Sequence, residues 1–243
     1  MPAPTQTLTP AAEQTAPPCV RQTSDSLFIA LILAFCAGFL GAYTCLTRGG
    51  VTVHTQRGNL TRLGIQIAQR NFEGALPYLC CTIFFLLGIA FAILVRHRCT
   101  VCPSRLHWRQ VTVLIAATLL TVTGFLPQHH NLTALSFGSF VWGSQIETFL
   151  RVRRLDGEVV FSIGGLQSTA RSFCVYSLHG TKHILLEGLT MLALVTVFVV
   201  GSMLAALSVE LWQERAIWVC SGLMLVIFFA MFSKGKNDIK SPV

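Results

Sequence analysis

The chain has 243 residues, 53% of them hydrophobic and 12% charged, with a mean hydropathy of +0.63. Soluble domains carry about 25% charged residues, so composition excludes an ordinary soluble enzyme and points to an integral membrane protein. The net charge of +8 sits between apolar runs, following membrane topology rather than a nucleic-acid footprint.

In chain order, residues 1–26 open with MPAPTQTLTPAAEQTAPPCV, rich in Pro, Thr and Ala and without the basic start and apolar core of a signal peptide. They read as a disordered tail. Leu27–Leu46 follows as the first run long enough to cross a hydrocarbon core of roughly 30 Å. A polar stretch, 49–73, comes next. It holds Gly49, Gly50, His54, Arg57, Gly58 and Asn59, then an alternation from Asn59 to Gln69 that predicts a short amphipathic helix. Ala75–Val95 is the second span. The basic loop after it places Cys99 and Cys102 beside His97 and His107, a weak zinc or redox candidate. Further spans are expected at Val111–Leu126, Leu132–Phe149, Ile184–Leu211 and Ala216–Phe232. The fourth carries Gln145 and Glu147, and a second polar stretch fills 151–183. Residues 233–243 form a basic C-terminal tail.

Six spans put both termini on one side. With the termini cytoplasmic, the inner segments hold thirteen Lys and Arg and the outer ones five, the asymmetry expected for an inner, cytoplasm-facing side.

The membrane domain, 27–232, also repeats itself weakly. AFCAGFLGAY at Ala34–Tyr43 precedes RGNL, with Gly58 twenty residues after Gly38, while SFVWGSQIE at Ser139–Glu147 precedes IGGL, with Gly164 twenty-one residues after Gly143. Each unit then reaches a span with Phe-x-x-Gly-x-x-x-Ala: Phe85, Gly88 and Ala92 in the first, Phe198, Gly201 and Ala205 in the second. Repeat one is 27–126 and repeat two 132–232. Three spans per repeat place the two in opposite orientations, as in many secondary transporters. The fold expected is therefore an all-α membrane protein of six helices in two inverted repeats, each with a broken segment, 54–69 or 159–175, either re-entrant or interfacial.

The runs AFCAGFLGAYTCLTRGGVTVHTQRGNLTRLGIQIAQ and WGSQIETFLRVRRLDGEVVFSIGGLQS, with the two Phe-x-x-Gly segments, resemble the YoaK family of bacterial membrane proteins, a domain of unknown function. The resemblance implies a multi-pass protein of the bacterial inner membrane. It matches at Gly58, Asn59 and Gln145, and departs from the family pattern at Gly41, where an Asp is usual, and at Arg57, where a Thr is usual.

The residues themselves support two readings. In the first, Gly58, Asn59, Gln145 and Gly164 line a substrate site with His54 and Arg57, and a helix starting near Gly58 turns its free amides toward a polar or anionic ligand. The protein is then a transporter or permease for a small solute. In the second it is a membrane scaffold or sensor, and the polar stretches bind lipid or a partner protein. Gln145 fits either a site or a helix–helix hydrogen bond, and Glu147 an end-of-helix pair with Arg151. Gly88 with Ala92, and Gly201 with Ala205, are small-residue packing pairs. No catalytic motif appears, so neither an enzyme nor a cofactor is expected. Proton coupling would fall to Glu147, His54 or Glu187. Expected partners are a small-molecule solute and membrane lipids, not nucleic acid, in an architecture compatible with a homo-oligomer.

Overall fold

The structure, a computed structural model, describes residues 27–101, 107–149, 151–152, 155–156 and 164–235. The N-terminal tail, Cys102, segment 159–163 and residues 236–243 lie outside the described residues.

The helices in chain order are α1 (Leu27–Thr47), α2 (Gln56–Ala68), α3 (Phe72–Val101), α4 (Trp108–Thr123), α5 (Asn131–Thr148), α6 (Gly164–His179), α7 (Lys182–Trp212) and α8 (Trp218–Gly235). Short 3-10 turns at Gln128–His130 and Gln213–Ile217 lead into α5 and α8. Among the described residues the remaining regular structure is a two-rung antiparallel pairing of β1 (Arg151–Val152) with β2 (Leu155–Asp156).

Among the described residues three helical stretches are long and apolar enough to cross a membrane: Leu27–Thr47, Phe72–Cys99 and Lys182–Met231, the last running through α7, the 3-10 turn and α8. Of the other expected spans, α4 has 16 residues, about 24 Å at 1.5 Å per residue. Helix α5 has 18 residues, eleven of them buried, including Ser136, Ser139, Ser144 and Gln145. A helix enclosed by protein needs no lipid-facing apolar stripe, which explains why α5 tolerates polar side chains that a lipid-exposed helix would not.

Packing separates inner helices from outer ones. Helix α1 buries twelve of its residues, among them Phe39 and Tyr43, and joins α5, with Trp142, in the central core. Helices α3 and α7 bury few of their residues and present Leu86, Leu94, Val199 and Leu207 outward. Apolar exposure on this scale is what a lipid solvent permits. The main pairings are α1 with α7, α3 with α5 and α4 with α8, while α2 lies on α3 and α6 on α7.

Glycines set the two closest crossings. A methyl group at Gly38 would overlap the Phe198 carbonyl oxygen, and one at Gly201 the Phe35 carbonyl oxygen, so α1 and α7 meet backbone to backbone. Ser202 Oγ donates to the Gly38 carbonyl at 3.1 Å across this seam. Gly143 meets the Phe85 carbonyl and Gly88 the Phe140 carbonyl in the same way between α3 and α5. The third pairing is polar: Thr121 Oγ1 lies 2.6 Å from Ser221 Oγ, which also donates to the Ala117 carbonyl at 2.8 Å. Alanines complete the small-residue pairs, with Ala92 and Ala205 fully buried.

Candidate functional site

Helix α1 ends at two glycines that no side chain crowds. Gly49 and Gly50 have φ of 78° and 76°, the left-handed region glycine occupies without strain, and the Gly50 N–H returns to the Cys45 carbonyl at 3.1 Å. The chain then turns inward. Val51 and Val53 are buried, and Val53 packs against the bare backbone of Gly138 on α5. The His54 ring occupies the notch left by Gly41 on α1 and tilts against Phe198 of α7, with ring centroids 5.5 Å apart. Gly41 lies six residues before the end of α1, about 9 Å along its axis, so an irregular segment reaches well inside the helix bundle.

Side chains of α2 and α3 hold this loop. Asn59 Nδ2 donates to the Thr52 carbonyl at 2.9 Å and Gln56 Nε2 to the Val53 carbonyl at 3.3 Å. Gln56 Oε1 accepts from Thr82 Oγ1 of α3 at 3.4 Å. Arg62 Nη1 donates to the Gly50 carbonyl at 3.1 Å and to the Tyr78 hydroxyl at 3.4 Å, tying the base of the loop to α3. Inside, His54 Nδ1 is buried with no hydrogen-bond partner, and burial pushes the imidazole down to about 4. The ring is therefore neutral at neutral pH.

The sequence-derived candidates divide by location. Helix α2 starts at Gln56, one residue after an N-cap Thr55 whose side chain makes no cap bond, not at Gly58 or Asn59 as the alternation predicted. Asn59 thus lies inside the first turn, buried, and faces the loop rather than a helix-end cavity. Gly58 and Gln56 are part-exposed and Arg57 is exposed. The rest of α2 shows Leu60, Ile65 and Ile67 on its surface, so within 54–69 the loop goes in and the helix stays out. Gly164 begins α6.

Gln145 takes a different place. Its Nε2 reaches the Thr112 carbonyl on α4 and Ser144 Oγ, both at 3.4 Å, while Oε1 is buried without a partner. It stands seven residues beyond Gly138 on α5, about 10 Å further along that helix, and among the described residues no hydrogen bond joins it to Asn59. Glu187 pairs with His183 at 3.3 Å on an exposed face. Among the described residues no group of three or more His, Cys, Asp or Glu is placed to hold a metal. His107 instead caps α4: its Nδ1 accepts from the Arg109 backbone N–H at 3.4 Å, and the His107 backbone N–H donates to Gln110 Oε1 at 3.0 Å. Burial first, and then the Arg109 charge, holds its imidazole below the ordinary range.

One residue of consequence was missed. Arg48, counted with the outer loop charges, is 1% exposed. Its guanidinium donates to the Tyr43 hydroxyl at 3.1 Å, to the carbonyls of Thr123 at 3.2 Å, Leu126 at 2.8 Å and Pro127 at 3.4 Å, and to Asn131 Oδ1 at 3.1 Å. Tyr43 in turn donates to the Glu214 carbonyl at 2.9 Å. The cation thus adds a charged donor to carbonyls at and just beyond the end of α4 and ties α1 to the α4–α5 and α7–α8 junctions. Beside it a cleft of about 190 Å³ is lined by Gly124, Phe125, Leu126, Pro127, Glu214 and Arg215. The one signal in the sequence was an arginine directly after an apolar run and before two glycines.

Residues 29–230 match the family described as protein of unknown function (DUF1275), and the chain belongs to that family. No curated protein and no solved structure matches it.

Proposed function

We propose that the chain is a membrane transporter or permease for a small polar or anionic solute, made of two inverted halves, with the inserted loop 48–55 as its gate. The observation that carries the reading is the equivalence of the two glycine crossings. A shift of 105 residues takes Phe35 and Gly38 to Phe140 and Gly143, and a shift of 113 takes Phe85 and Gly88 to Phe198 and Gly201. Each backbone contact of α1 with α7 thereby maps onto one of α5 with α3. The lying of α2 on α3 and α6 on α7, and the pairing of α4 with α8, follow the same map. Halves of three long helices related in this way are inverted, the arrangement of many carriers.

The gate reading has its own support. Irregular backbone inside a membrane protein is tolerated where it is enclosed by protein or lines a cavity, and the loop brings an unpartnered imidazole nitrogen with it. Arg62 bonds to its base and the exposed Arg57 follows it at the start of α2, which favours polar or anionic solutes over cations. The charge asymmetry and the YoaK-like runs support a location in a bacterial inner membrane with both termini in the cytoplasm. Uptake of a panel of small labelled polar and anionic solutes into liposomes holding the purified protein tests the proposal. At least one solute should enter faster than into protein-free liposomes. If none does, the scaffold or sensor reading takes its place.

A further inference from the structure

We propose that residues 49–55 form a hinged plug, seated by the His54 ring in the Gly41 notch and released by acid. The inference rests on the gate reading only for its effect on solute passage; the seating stands on geometry alone.

The hinge is the Gly49–Gly50 pair, whose positive φ angles lie in open space. The seat is specific to one side chain. A methyl group at Gly38, Gly88, Gly143 or Gly201 would strike the backbone of a neighbouring helix, whereas the nearest atoms to one at Gly41 would be those of the His54 ring. Gly41 therefore makes room for His54 and not for a helix. Phe198 forms the other wall at 5.5 Å, and Val53 fills the Gly138 hollow beside it.

The His54 residue is half-buried, and among the described residues no carboxylate pairs with an imidazolium in this seat. Nδ1 is buried and unpartnered, so protonation would place an N–H with no acceptor there. Helix α1 brings only Tyr43, Cys45 and the cation Arg48 to this end. Helix α7 has no ionisable residue between Glu187 and Glu210, and α5 has none between His130 and Glu147. Helix α2 adds Arg57 and Arg62, and α3 adds Tyr78, Cys80 and Cys81, with Glu73 at its exposed start. The lowered titration of His54 is caused by burial alone. The seated state is thus fully favoured above pH 6.5, loses ground as pH falls toward 4, and changes no further below that, where both states are protonated.

Hydrogen exchange of residues 49–55 in lipid nanodiscs, corrected for the intrinsic effect of pH, reads the seating directly. Between pH 7.5 and 4.5 the opening equilibrium should rise by roughly one to two orders of magnitude, while the α1 and α7 interiors stay protected. His54→Phe keeps an aromatic ring in the notch and should abolish the pH response. Gly41→Ala should leave the loop open at both pH values. The proposal is overturned if His54→Phe responds to pH as the wild type does, or if Gly41→Ala leaves the loop protected. Should Gly41→Ala fail to assemble, His54→Phe alone decides. The predicted exchange pattern without flux of any solute would remove the transport reading and keep the plug, whereas flux with a pH-insensitive loop would do the opposite.

Discussion

Replacing Gly38 with alanine tests the packing on which the whole arrangement depends. The added methyl would sit 2.9 Å from the Phe198 carbonyl carbon and overlap its oxygen, where carbon atoms normally approach to about 3.5–4.0 Å. Because the obstacle is backbone, α1 and α7 must separate by about 1 Å, and overpacking of this kind costs about 1–3 kcal/mol. Separation also stretches the Ser202 to Gly38 hydrogen bond, worth about 1 kcal/mol. Gly64→Ala is the internal control. Nothing lies within 4 Å of that position on exposed α2, so removing a mid-helix glycine should stabilise by about 0.5–1 kcal/mol. Thermal unfolding in detergent should show Gly38→Ala melting about 5–10 °C below Gly64→Ala. If the halves are inverted copies, Gly143→Ala should cost the same as Gly38→Ala within about 0.5 kcal/mol. Equal melting of Gly38→Ala and Gly64→Ala would refute the backbone-contact argument.

Arg48→Met should destabilise by about 1–3 kcal/mol, since it leaves the part-buried Leu126 carbonyl without its donor and the Thr123 carbonyl with the Leu126 N–H alone. Arg48→Lys should recover less than half of that, because one ammonium cannot span acceptors spread over α1, α4 and α5; a Met variant within 1 kcal/mol of wild type in denaturant titration contradicts this role. Asn59→Ala removes the tie to the Thr52 carbonyl and should lower stability by about 1 kcal/mol. If Asn59 also contacts solute, binding weakens by about 1–3 kcal/mol, and an early-melting variant that keeps the full ligand-induced melting shift rules that contact out. A reporter fused after Val243 should be active only in the cytoplasm, and activity outside overturns the orientation.

How much of this was legible in the sequence differs from element to element. Leu27–Leu46 was read to within one residue of α1 because an uninterrupted apolar run has one stable solution in lipid. The amphipathic pattern announced α2 but placed its start three residues late, since Thr55 begins the helix without a side-chain cap. Gly38, Gly88, Gly143 and Gly201 were visible as a spacing, yet spacing does not say which backbone each glycine meets. Local pattern determined that helices form and which are apolar. Only the tertiary structure decided that α5 lies enclosed, that Gly41 and Gly138 leave room for a loop, and that Arg48 is buried instead of wet. The Arg48 carbonyl partner Thr123 is 75 residues away in sequence and the Gly138 partner Val53 is 85 away, and a charge or a bare Cα becomes a staple or a socket only when another surface closes over it.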